Sequence, residues 1–154
     1  MKNKIICLTL MMSTTTCLLA QSKTSAKADS TEVITTLNSF VDAFSNLRWE
    51  EFRQFFADDA TAFFPPSAKH PTRAENGTEV LSIFRKVFEN ARQHNKSKID
   101  IQPKEVRIQI LGNSAIVSFH LEDPDLFGRR TLVLQKKEGK WLIVHLHASG
   151  VPYK

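Results

Sequence analysis

The exported part of this chain has no cysteine. Both cysteines, Cys7 and Cys17, fall in the N-terminal segment, which reads as a signal for export. A domain that leaves the cell without a disulfide has to be held by its own core, and thiol catalysis and cysteine-ligated metals are excluded. Tyrosine is almost as scarce. The single Tyr153 stands next to the C-terminus, too remote to be expected as a pocket acid. Nor is there an internal repeat, or an apolar run near the roughly 20 residues needed to cross a bilayer. A basic stripe interleaved with aromatics, the mark of a nucleic-acid surface, is missing too. The formal charge is +5, from 21 Lys and Arg against 16 Asp and Glu. Removing Lys2 and Lys4 with the signal leaves 19 against 16, a formal +3, and the remaining bases are scattered among acids, as in Glu50-Glu51-Phe52-Arg53.

The export signal itself consists of Lys2 and Lys4, an apolar core from Ile5 to Met12, and Cys17-Leu-Leu-Ala20 before Gln21. A charged start, a short apolar stretch and a small residue at the boundary fit a cleaved signal peptide over residues 1–20. Periplasmic or secreted localisation after cleavage near Ala20 is therefore expected. Lipid attachment at Cys17 is the weaker alternative, because three threonines precede it. Gln21 to Ala28 lacks hydrophobic periodicity and reads as a disordered leader, and the folded domain is expected over 29–154.

Asp29-Ser-Thr-Glu32 has the spacing of a capping box. After it Val33, Leu37, Phe40, Val41, Phe44 and Leu47 recur at three- and four-residue intervals, which predicts an amphipathic helix. Trp49, Phe52, Phe55 and Phe56 mark a second helix, and Thr61 to Phe64 a short strand stopped by Pro65-Pro66. A polar loop follows. Gly77-Thr78 opens a third helix, with Val80, Phe84, Val87, Phe88 and Ala91 on its buried face. Four antiparallel strands complete the chain, and a change of parity near Pro103 suggests a bulge. Helices segregated from a curved antiparallel sheet make an α+β domain. About 134 residues suffice for one such core.

The last strand carries the most specific pattern. Lys-Glu-Gly139-Lys supplies a hairpin turn. From Trp141 strict alternation puts Leu142, Val144, Leu146 and Ala148 on one face, and Trp141, Ile143, His145, His147 and Ser149 on the other. Gly139-Lys-Trp141, Val144-His145-x-His147-x-Ser149-Gly150 and the earlier Phe88-Glu-Asn-Ala91, together with the order of elements, resemble the NTF2-like superfamily. Within it the chain is similar to SnoaL-like and DUF4440-type domains, and most of all to the association (hub) domain of calcium/calmodulin-dependent kinase II. The resemblance spans roughly Val33 to Pro152. It implies an NTF2-like cone, a curved antiparallel sheet around three N-terminal helices with a pocket at the open end, and assembly into homodimers or larger rings. Family members serve as isomerases, cyclases, dehydratases or assembly modules, so the fold leaves function open.

Candidate residues follow from both readings. His145 and His147 project from one face about 7 Å apart. A shared metal would need a third ligand that no neighbouring strand supplies, and the resemblance puts this row, with Trp141, at an oligomer interface. The same likeness aligns His120, Leu132 and Ala148 with pocket positions where hub domains can place arginines. Phe64 and Phe84 join them as pocket candidates, the Phe63–Pro66 stretch forming a rim. A lone imidazole among aliphatic groups points to a largely apolar small ligand, with His120 the one candidate for acid/base catalysis. No partner carboxylate or tyrosine for a catalytic dyad is evident, and no cofactor or metal is expected. The leading expectation is an exported, oligomeric, ligand-binding domain. The alternatives are a pocket enzyme of the isomerase, cyclase or dehydratase type using His120, and a ligand-free assembly module.

Overall fold

The computed structural model describes residues 13–65, 72–123 and 126–152. Its elements are α1 (Ser13–Ser45), α2 (Trp49–Phe52) running into a 3-10 turn (Arg53–Phe55), β1 (Phe56–Phe63), β2 (Arg73–Ala74), α3 (Gly77–Gln93), β3 (Lys104–Leu111), β4 (Ser114–Asp123), β5 (Leu126–Lys137) and β6 (Lys140–Pro152). Three helices lie against one curved, unclosed sheet of six strands in the order β2-β1-β6-β5-β4-β3. The domain is α+β, as the sequence predicts. The sheet is antiparallel except at one seam, where β1 runs parallel to β6.

The helices face the sheet through one stripe each. On α1 that stripe is Val33, Leu37, Phe40 and Ala43, all buried, and on α3 it is Val80, Ile83, Phe84, Phe88 and Ala91. They meet the inner rows of the sheet, Val117 and Phe119 on β4, Leu132 and Leu134 on β5, and Ile143, Leu146 and Ala148 on β6. Phe52 is fully buried between the layers. Its ring centroid lies 4.9 Å from Phe84, 5.1 Å from Phe88, 5.2 Å from Phe40 and 5.4 Å from Phe56. Tilted and edge-on contacts of this kind add to the area the rings bury.

Two local features shape the sheet. Glu138 and Gly139 both take positive φ, 50° and 78°, giving the tight two-residue turn between β5 and β6 that the sequence indicates. Halfway along β6 Leu134 pairs with Ile143 but Val133 pairs with His145, so Val144 is an extra residue. This β-bulge reverses the parity of the strand. Trp141 and Ile143 face the core before it, and Leu146 and Ala148 face the core after it. Strict alternation across residues 141–149 was therefore the wrong expectation, for bulges leave no mark in an apolar row.

Other boundaries also move. α1 passes without a break through 21–28, where a leader was expected, and through Asp29–Glu32. The whole of the expected signal core, residues 5–12, lies outside the described residues. A side-chain N-cap is found instead at α3, where the Glu79 N–H donates to Asn76 Oδ1, while the N–H of Glu75, just before the cap, donates to Glu79 Oε2. β1 starts at Phe56, five residues before the expected strand. The irregular register of β1 against β6 between Phe56 and Thr61 brings Ala57 against the start of α3. A Cβ on Gly77 would lie 2.6 Å from the Ala57 carbonyl oxygen, so only glycine fits there. The bulge expected near Pro103 falls at Glu105, which takes φ 52° while the β3–β4 register shifts between Lys104 and Arg107. Ile99 to Pro103 is not a strand.

Candidate functional site

The curved sheet leaves a cavity of about 310 Å³ between its inner face and the helices. The phenyl rings of Phe40 and Phe44 on α1 form one wall, with Ile83, Phe84 and Val87 of α3 beside them. Phe64-Pro65 after β1, and Ile99 with Ile101 ahead of β3, make the rim. Both rim segments are fixed by the backbone. The Phe64 N–H donates to the Thr72 carbonyl at 2.8 Å, and the Ile99 N–H donates to the Ser45 carbonyl at 2.8 Å. The sheet contributes the floor through Phe119 and Leu121, Arg130 and Leu132, and Leu146 and Ala148.

Of the residues the sequence proposes for the pocket, Phe64, Phe84, Leu132 and Ala148 all line this cavity. His120 does not. On β4 the buried row is Ala115, Val117 and Phe119, so Ile116, Ser118 and His120 look outward. The His120 ring packs 4.5 Å from the Phe127 ring, and its Nδ1 lies 3.3 Å from a Glu105 carboxylate oxygen on the bulge of β3. Imidazole acid/base chemistry in the cavity therefore has no geometric basis at His120. The signal was present in the sequence, since the Ala115-Val117-Phe119-Leu121 row is wholly apolar and its alternate carries the polar groups.

The charged residue in the cavity is one that sequence reasoning passed over. Arg130 shares the inner row of β5 with Gly128, Leu132, Leu134 and Lys136, two positions from a residue already assigned to the pocket. Its side chain is half buried. Nη1 donates to the Arg129 carbonyl at 2.9 Å and to the Ser149 carbonyl at 3.0 Å. No acid lies within ion-pair distance among the described residues. Burial pushes its pKa below the ordinary arginine value, although a guanidinium stays protonated. Gly128 makes room for this arrangement, as a Cβ there would sit 3.2 Å from Arg130 Nη1.

The residues expected at an oligomer interface separate. Trp141 is 4% exposed and faces the core, its indole N–H donating to Glu32 Oε2 at 3.0 Å. Its burial is therefore complete within the single chain. His145 and His147 lie beyond the bulge on the outer face. Thr61 Oγ1 is 2.8 Å from His145 Nδ1, and the Phe63 ring, 43% exposed, lies 5.8 Å from His145 and 6.1 Å from His147. Burial, and then the neighbouring His147, lower the pKa of His145. Among the described residues no third metal-ligating side chain joins the pair.

The fold is one that the chain shares with known proteins. Residues 33–154 match the family model of the SnoaL-like domain, and the chain belongs to that family. Solved structures agree on the fold. An NTF2-like protein of unknown function from Pseudomonas putida superposes with TM-score 0.66 at 15% identity, covering 80% of this chain and 87% of its own. A provisionally assigned dehydratase of the NTF2-like family from Streptomyces avermitilis gives 0.67 at 17% identity over 81% and 97%. The association domain of calcium/calmodulin-dependent kinase II from C. elegans gives 0.63 at 19% identity over 81% and 98%. No helix among the described residues is long and apolar enough to cross a membrane.

Proposed function

We propose that this chain is an exported domain that binds a small, largely apolar molecule in the cavity of its sheet. The supporting observation is the cavity itself, which stands open and is walled by phenylalanine and aliphatic side chains. At about 310 Å³ it lies at the small end of ligand pockets. Export rests on the Lys2/Lys4 and Ile5–Met12 pattern of the sequence. Acid/base catalysis through His120 finds no support, because that side chain is on the other face.

Self-association is part of the same proposal. Along the outer face Thr61, His145, Val133, Ile116 and Gln109 stand opposite one another across five strands. Phe63 exposes 43% of its surface beside that row. A second copy covering this face would bury it, and the likeness to an association domain supports that arrangement. Ala148→Phe tests the ligand reading, since a benzyl group there fills the floor of the cavity. The variant should fold, associate as the wild type does, and lose any small molecule that co-purifies with the wild type in native mass spectrometry. Retention of the molecule would place binding elsewhere. A monomer in light scattering at micromolar concentration would remove the association claim.

A further inference from the structure

The proposed ligand site holds one full charge, and the cavity walls do nothing to neutralise it. Resting on the reading of the cavity as a ligand site, we infer that the ligand is a small organic monoanion, an apolar body carrying one carboxylate, and that Arg130 is the residue that holds it. A half-buried guanidinium turns N–H groups that have no protein acceptor to water or to an anionic ligand. Arg130 has only two backbone carbonyls, both on Nη1. Nε and Nη2 make no hydrogen bond to another described residue, and neither is sealed from solvent. Two adjacent N–H groups in the plane of a guanidinium match the two oxygens of a carboxylate.

The surroundings select the rest of the ligand. Arg130 is the charged residue among those that line the cavity, the others there being aromatic or aliphatic. One carboxylate balances one guanidinium, whereas a phosphate dianion would carry a second charge into an apolar wall. The volume holds about ten water-sized groups, enough for a phenyl or short alkyl body.

The test uses a panel of phenylacetate, phenylpropanoate, hexanoate and octanoate, each beside its neutral amide, titrated by isothermal calorimetry and by amide chemical shifts. The acids should bind about tenfold or more tightly than their amides, the preference expected of a charge-assisted hydrogen bond. Arg130→Met should reduce that preference to unity while its circular dichroism stays that of the wild type, and Arg130→Lys should keep part of it. Equal binding of acid and amide, abolished in Ala148→Phe, would leave the cavity as a ligand site and overturn the inference of an anion. Acid preference unchanged in Arg130→Met would overturn the role of Arg130. If no member of the panel shifted the cavity amides, the ligand reading would fall and this inference with it.

Discussion

One row of one strand carries two cations, and their surroundings are opposite. Lys136 and Arg130 lie six residues apart on the inner face of β5, about 20 Å by strand rise, with Leu132 and Leu134 buried between them. Lys136 is fully engaged. Its ammonium lies 2.9 Å from Asp29 and 2.7 Å from Glu32 of α1 and 5.6 Å from the centre of the Trp141 ring. Its hydrogen bonds to those carboxylates, first Asp29 and then Glu32, raise its pKa. Arg130 has carbonyls only, and burial lowers its pKa. The same residue class on the same row is thus a clasp at one end of the sheet and an open contact at the other. A cation that stabilises the fold comes with its counter-charges. One that awaits a ligand does not.

The two ends share a core, and breaking it should abolish the distinction between them. Phe52→Ala removes the ring at the centre of the aromatic cluster and should destabilise the domain by about 3–5 kcal/mol. Denaturant unfolding followed separately by Trp141 fluorescence, in a Trp49→Phe background, and by far-ultraviolet circular dichroism should remain one coincident transition. Two separated transitions would mean that the ends are held independently. A smaller loss is expected from Lys136→Met, which leaves Asp29 and Glu32 close together without their cation and lowers the melting temperature while cavity binding is retained.

Acid should sharpen the contrast further. Glu32 is held below the usual glutamate value of 4.5 by hydrogen bonds from Lys136 and then Trp141. A carboxylate with a depressed folded pKa adds stability above its unfolded pKa and loses it as pH falls through the folded value. The clasp should therefore loosen below about pH 4.5, and Glu32→Gln should flatten that part of a melting-temperature profile. His145 works in a separate window. Its lowered pKa keeps it neutral in the fold while the unfolded chain takes up a proton near 6.5, so stability falls as pH drops below that point. His145→Gln should remove this earlier and smaller step and leave the Glu32 step in place.

Much of this arrangement was legible in the residues, and the failures have physical causes. The α1 and α3 stripes follow from helical spacing, and Phe64, Phe84, Leu132 and Ala148, which the sequence puts forward for a pocket, line the cavity. What misled was parity. A bulge at Val144 costs one residue and changes every later side chain's face, so Trp141 was grouped with His145 and His147 although it belongs to the core. His120 was carried into the pocket by likeness alone, against the apolar row of its own strand. Asp29 and Glu32 have the spacing of a helix cap, but their partner is Lys136, more than a hundred residues on. Arg130 was missed for the complementary reason. An arginine in a strand reads as a solvated residue until the curvature of the sheet closes over it.

The contrast between the two cations has one direct measurement, the thermal unfolding of Arg130→Met in the absence of ligand at neutral pH. An unpaired, half-buried guanidinium kept for a ligand opposes folding, so its replacement by an apolar side chain of similar length should leave the melting temperature unchanged or raise it. A fall as large as that of Lys136→Met would show that Arg130 holds the fold together as Lys136 does, and would contradict the account.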